Sequence, residues 1–137
     1  LKKLIVLKTH LIKKNCTSTF YNYTLTIDDK IILTNKKEIL KDLKNNGVPV
    51  NGTYMNLHLL PIFTKKIAYD LKNFPWSLNK KKYSYRKGDC PVAEKMNEKN
   101  YIGLNMWRYD YSEKDIYYII KKFKKVWSKL KFKNNGN

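Results

Sequence analysis

Residues 47–63 read Gly-Val-Pro-Val-Asn-Gly-Thr-Tyr-Met-Asn-Leu-His-Leu-Leu-Pro-Ile-Phe. The stretch opens on a glycine suited to ending a helix, passes through a β-rich segment from Val48 to Tyr54, and reaches Pro61, where a new helix can start. Pro49 lacks a backbone donor, which sets this β segment at a sheet edge or at a strand beginning. Working upstream, Ile39, Leu40 and Leu43 share one helical face. Thr34 stands in capping position and Asn45-Asn46-Gly47 at the stop, so a helix is expected over about Asn35 to Asn45. Earlier still, Phe20 to Ile27 alternates, with Tyr21, Tyr23, Leu25 and Ile27 on one face and Phe20, Asn22, Thr24 and Thr26 on the other. That is the pattern of a half-buried strand, which Asp28-Asp29 turns. The order is β-α-β.

Downstream of Pro61, Ile62, Phe63, Ile67 and Leu71 keep helical spacing until Phe74-Pro75-Trp76 interrupts it. Residues 77–88 have no clean period and are expected to form a basic, mobile loop. Asp89 or Cys90 can cap a further helix, with Pro91 in its first turn and Val92, Ala93 and Met96 turned inward. Tyr101 to Met106 is a short strand candidate. The last element has the strongest signal. Ser112-Glu113-Lys114-Asp115 is a capping-box variant ahead of Ile116, Ile119, Ile120, Phe123, Trp127 and Leu130, which form one apolar stripe. Lys121, Lys122, Lys124, Lys125 and Lys129 occupy the opposite side and are expected to be a solvated face. The fold class that follows is α/β in the α+β sense, a small, mostly antiparallel sheet packed with helices. Residues 1–17 are expected to be an inter-domain lead-in, 18–131 the domain, and 132–137 a frayed tail.

The chain has 137 residues, 42% of them apolar and 14% aromatic, which is enough for one globular core. No segment approaches the roughly 18 consecutive apolar residues of a membrane span. The start, with Lys2, Lys3 and the short run Leu4-Ile5-Val6-Leu7, superficially resembles a signal peptide, but Lys8 breaks the apolar run early. A fragment boundary is the expectation there, and a cytoplasmic location with it. Net charge is +18, yet of the 29 basic residues only Arg86 and Arg108 are arginine. Readers of nucleic acid lean on the planar arginine fork, so this balance points to a compositional lysine bias and argues against nucleic acid as the partner.

Cys16 and Cys90 are expected to be separate, reduced thiols, because two cysteines make neither a disulfide framework nor a four-ligand metal site. The only histidines, His10 and His58, have no Cys, Asp or Glu cluster at ligand spacing, and no metal is expected. No Gly-rich phosphate loop occurs. The Ser-x-x-Lys pairs at Ser77, Ser84 and Ser128 are those that abundant lysine produces by chance.

Thr53-Tyr54-Met55-Asn56-Leu57-His58-Leu59-Leu60-Pro61-Ile62-Phe63 resembles the Tyr-Pro-Pro-Leu-His-x-x-Pro-x-Phe segment of the DegT/DnrJ/StrS family of pyridoxal-phosphate-dependent aminotransferases. Asn46-Gly47-Val48-Pro49 resembles that family's helix followed by Gly-Ile-Pro. Gly88-Asp89-Cys90-Pro91-Val92-Ala93-Glu94-Lys95 is similar to the Cys-Pro-Val-Ala-Glu-Arg stretch of the branch that aminates keto-inositols and related cyclic ketones. Tyr101-Ile102-Gly103-Leu104 and Ser112 to Lys125 take the places of its short strand and closing helix. The likeness covers roughly residues 18–130. Asn56 stands where the family usually has proline, and Asn105 to Tyr109 replaces a proline-containing turn.

The resemblance implies the C-terminal small domain of a fold type I enzyme. Such an enzyme transfers an amino group from glutamate or glutamine to a keto-sugar or keto-cyclitol, as in cell-surface polysaccharide or related biosynthesis. It implies pyridoxal 5'-phosphate held by a large N-terminal domain, a homodimer, and no catalytic residue in this chain, since no lysine here stands in the sequence context of the family's cofactor lysine. The isolated chain is therefore expected to be inactive and to bind no cofactor alone. Tyr54, Asn56 and His58 are implied to lie near substrate or cofactor. The alternative is a basic non-enzymatic module that binds nucleic acid or another polyanion through its lysines and tyrosines.

Overall fold

β2, Tyr23–Ile27, is the strand that the alternation marks, and it lies inside a four-stranded antiparallel sheet of order β1-β2-β4-β3. The computed structural model describes residues 4, 6–69, 72–81 and 83–133. Lys2, Lys3, Ile5, Leu71 and tail residues 134–137, all named above, lie outside the described residues, as does Lys82 of segment 77–88. β1 is Leu7–Thr9, β3 is Val50–Asn51 and β4 is Tyr101–Leu104. β1 pairs with β2 through Leu7 opposite Ile27, β2 with β4 through Leu25 opposite Ile102, and β3 with β4 through Val50 opposite Leu104. Residues 7–9, expected in a lead-in segment, thus form an edge strand. Pro49 immediately precedes the short edge strand β3, where a missing donor costs no ladder bond.

Helix α1, Lys36–Asn45, begins at Asn35, whose side chain accepts from the Glu38 amide at 3.0 Å. Thr34 was expected in that role; its hydroxyl instead accepts from the Lys131 amide at 3.3 Å. The helix ends as the Asn-Asn-Gly stop requires. The Gly47 amide donates to the Lys44 carbonyl and the Val48 amide to the Leu43 carbonyl, both at 2.9 Å. Gly47 sits at φ +78°, the left-handed conformation that this closure needs. Helix α4, Glu113–Trp127, carries the expected capping box, with Ser112 and Asp115 each bonding the other's backbone. Those bonds from Ser112 hold the Asp115 carboxyl below the usual carboxylate range. Replacing Ser112 by alanine is expected to cost about 1 kcal/mol, read as a lower urea midpoint at unchanged slope.

Alternate strand residues and the two long helices close one core. Leu25, Ile27, Ile102, Leu104 and Val50 meet Ile39 and Leu43 of α1 and Ile119, Phe123, Val126 and Trp127 of α4. Leu25, Ile39, Leu43, Ile102 and Phe123 have no exposed surface. On the other side of β4, Gly103 lies under the Tyr101 ring, where a Cβ would collide with the tyrosine hydroxyl. After α4 the chain runs back along residues 31–33, with Phe132 bridged to Ile32. Phe132 and Lys133, expected in a frayed tail, are held there by backbone bonds of 2.8 and 2.9 Å between segments 31–33 and 131–133.

The remaining elements are short. α2 is a single turn, Pro61–Thr64, because Lys66 turns to φ +55° and ends the helix that the spacing of Ile67 and Leu71 promised. α3, Pro91–Lys95, follows Cys90 as expected and continues as a π-helical turn over Met96–Asn100. By its contacts the chain divides into two compact units, Leu1–Thr53 with Glu98–Asn137, and Tyr54–Asn97. The first is the small α+β domain with the sheet and the core. The second is organised differently.

Candidate functional site

Within Tyr54–Asn97 only one described residue is buried, and it is a carboxylate, Glu94. An ionisable group takes the inward place that an amphipathic helix gives to leucine or valine. Val92, expected to point inward, is 78% exposed instead, and Ala93 is exposed with it. The helix register that begins at Pro91 aims Glu94, not Val92, at the unit's interior. Burying a carboxylate without partners would be prohibitive, so its hydrogen bonds must account for it.

They do. The Gly88 amide donates to both Glu94 oxygens at 2.9 Å, and the Cys90 amide donates to Oε1 at 3.2 Å. His58 Nε2 lies 2.9 Å from Oε1, joining two segments 36 residues apart in sequence. The loop geometry follows from its residues. The Asp89 carboxylate accepts from the Arg86 amide at 2.9 Å and the Asp89 amide donates back to the Arg86 carbonyl at 3.2 Å, making a tight turn. Gly88 takes φ +99° in that turn, a conformation in which side chains are strained, and its amide is thereby turned onto the carboxylate.

His58 arrives by a second local device. Leu57–Leu59 forms a 3-10 turn closed by bonds from Leu59 to Asn56 and from Leu60 to Leu57, at 2.9 and 3.1 Å. The turn leaves Leu57 61% exposed. It brings the His58 side chain in to 11% exposure, beside a Glu94 side chain at 7%. Burial pushes the Glu94 carboxyl up, but the bonds from the Gly88 amide, His58 and the Cys90 amide outweigh it. The charge interaction with His58 acts in the same direction, and the carboxyl is held below its ordinary value of 4.5.

The three residues singled out from the sequence are placed differently from one another. His58 joins Glu94 in the polar centre. Asn56 is the partly exposed N-cap residue of the 3-10 turn and makes no side-chain capping bond. Tyr54 is 59% exposed, and its backbone amide, not its ring, is tied down, donating to Asn97 Oδ1 at 3.1 Å. Glu94 and Gly88 were missed as site residues although both lie in the Gly-Asp-Cys-Pro-Val-Ala-Glu stretch. Helical spacing gave no signal for Glu94, which lies opposite the Val92, Ala93 and Met96 face expected to point inward. The basic segment 77–88, expected to be mobile, is anchored through the Trp76 indole, which donates to the Tyr85 hydroxyl at 3.1 Å. Phe63 packs against both rings, with centroids 6.2 and 5.5 Å away.

Elsewhere, His10 packs edge-on against Tyr23 at 5.1 Å. Among the described residues no group of three or more His, Cys, Asp or Glu could hold a metal. Cys16 and Cys90 are both exposed and unbridged. Lys121, Lys124, Lys125 and Lys129 are exposed, while Lys122 is drawn over the Tyr118 ring at 5.1 Å. The sheet unit contains an apolar cavity of about 210 Å³ walled by Tyr23, Leu104, Met106, Tyr111, Ile116 and Ile120, to which no sequence motif pointed. No described helix is long and apolar enough to cross a membrane. Comparison of the chain with protein-family models, with curated proteins and with solved structures finds no match.

Proposed function

We propose that this chain is the C-terminal small domain of a pyridoxal-phosphate-dependent aminotransferase of the DegT/DnrJ/StrS type. The complete enzyme moves an amino group from glutamate or glutamine to a keto-sugar or keto-cyclitol. The observation that supports this is a convergence. The two stretches carrying the resemblance, 53–63 and 88–95, meet in one hydrogen-bonded centre, with His58 of the first held by Glu94 of the second. Spacing along the chain does not require that meeting, and a shared functional site explains it.

Pyridoxal phosphate, when bound, supplies the carrier for the amino group. The residues here do not make a site for it by themselves. Lys36 is the one buried lysine among the described residues, and its ammonium lies 5.8 Å over the Tyr101 ring. Burial lowers its pKa, but it belongs to the sheet unit, and no described lysine of Tyr54–Asn97 is buried. No step of the transfer is therefore assigned to a lysine of this chain. Its contribution is recognition: the His58 imidazole and the partly exposed Asn56 amide and Tyr54 hydroxyl offer hydrogen bonds to a polyhydroxylated acceptor.

Two experiments test this. Reading the gene upstream of the Leu1 codon should reveal an open frame of about 230 to 280 codons containing a family-type cofactor lysine, on the usual size of such a domain. In the complete enzyme, His58→Ala and Tyr54→Phe should each lower kcat/KM for the keto acceptor, by about tenfold or more for His58. Unchanged kinetics in both would remove them from the site. A stop codon immediately upstream would remove the aminotransferase reading altogether.

A further inference from the structure

The polar centre has an asymmetry that determines what His58 can offer a ligand. Glu94 receives every bond it makes here from a donor: two backbone amides, which have nothing but hydrogen to give, and His58 Nε2. A carboxylate serving two amide donors acts purely as an acceptor. The hydrogen between it and His58 therefore belongs to the imidazole, on Nε2. In the singly protonated ring this leaves Nδ1 without a proton and with its lone pair free, because a neutral imidazole has one donor and one acceptor. Among the described residues no side chain or backbone group bonds Nδ1, and Nδ1 is not among the buried atoms left without a partner. The ring is therefore anchored at one nitrogen and available at the other.

We propose that Glu94 is a positioning residue, which fixes His58 as the Nε2–H tautomer and presents Nδ1 as an acceptor for a ligand hydroxyl. The ligand class follows from the atom. An unprotonated Nδ1 receives a hydroxyl hydrogen, as a sugar or cyclitol supplies, and gives nothing to a carboxylate or phosphate oxygen. That the hydroxyl belongs to the amino-acceptor substrate rests on the aminotransferase reading; the tautomer does not. Carboxylates that orient a working histidine through its far nitrogen do the same at other kinds of site, selecting the tautomer and the ring plane. Here the same carboxylate also gathers the Gly88 and Cys90 amides, so loop shape and imidazole tautomer are set by one group.

The test is the protonation pattern of the two imidazoles in the ¹⁵N-labelled 137-residue chain, read by long-range ¹H–¹⁵N correlation at a pH where the rings carry one proton. His58→Gln identifies which of the two rings is His58. The wild-type His58 spectrum should show a protonated Nε2 and a bare Nδ1. In Glu94→Gln, whose amide can give as well as accept, the His58 signals should move to a mixture of both tautomers. A wild-type ring protonated at Nδ1 overturns the proposal, and so does a tautomer unchanged by Glu94→Gln. A glutamate that only braced the loop would alter the Gly88 and Cys90 amide signals and leave the tautomer alone. If Glu94→Gln does not fold, a wild-type ring protonated at Nδ1 still overturns the proposal. Absence of amino transfer by the complete enzyme, with the expected tautomer present, would remove the aminotransferase reading and leave Glu94 in its role.

Discussion

Phe123→Ala is expected to unfold the sheet unit, or to leave so little stability that it melts near room temperature. Phe123 has no exposed surface and lies 5.4 Å from Trp127 in a stacked pair, within the cluster formed by Leu25, Ile102, Ile39 and Leu43. Removing a buried phenyl ring loses its transfer free energy and leaves a cavity that α4 and the sheet can collapse into only partly, together about 3–5 kcal/mol. Domains of this size hold only about 5–15 kcal/mol in total, so this single change takes a large share. The position matters as much as the residue type. Tyr117, on the same helix, is 72% exposed, and Tyr117→Ala should stay within about 0.5 kcal/mol of wild type. Urea unfolding followed by circular dichroism separates the two. A Phe123→Ala midpoint equal to that of Tyr117→Ala would mean that the α4 stripe does not seat on the sheet.

The same contrast explains which parts of the fold were legible in the sequence. α1, α4 and β2 are built on hydrophobic periodicity backed by local stop and start chemistry, and each lies where that pattern places it, within a few residues; β4, buried along its whole length, falls inside the short strand expected over Tyr101 to Met106. Tyr21 was placed on one strand face with Tyr23, Leu25 and Ile27 and is 56% exposed, because pairing in β2 begins only at Tyr23. β1 escaped notice because three residues carry no period, and what makes them a strand is the partner β2, a tertiary fact. In Tyr54–Asn97 the ordinary rule inverts. Apolar Leu57, Leu78 and Val92 are exposed and the acid is inside, so the helical spacing that turned Val92 inward points the wrong way there. The histidine was legible through its motif. Its partner was not, because a glutamate in a lysine-rich chain reads as solvated surface until three donors are seen to converge on it.

Those three donors make Glu94→Leu the change expected to act most strongly on Tyr54–Asn97. Leucine fills similar space and removes the acceptor, stranding the Gly88 and Cys90 amides and the His58 Nε2–H at once. Donors stranded in this part-buried centre lose their bonds to a charged acceptor, the stronger class of hydrogen bond. Exchange of the Gly88 and Cys90 amides should speed up by roughly one to two orders of magnitude, while amides of β2 and β4 keep their protection. Acid should act on the same group. Its folded pKa lies below the ordinary 4.5, so the folded state binds fewer protons than the unfolded chain in that range. The stabilisation is thus complete above about 4.5 and is lost as pH falls through the lower folded value. Asp115, also depressed, weakens in acid in the same direction, but its effect falls on the first turn of α4. Residue-resolved exchange at falling pH therefore distinguishes them, and Glu94→Leu should lose the acid-dependent step at Gly88 and Cys90 while keeping the one at α4. If the Gly88 and Cys90 amides exchange alike in wild type and Glu94→Leu, the buried carboxylate does not organise this part of the chain, and the site built on it fails.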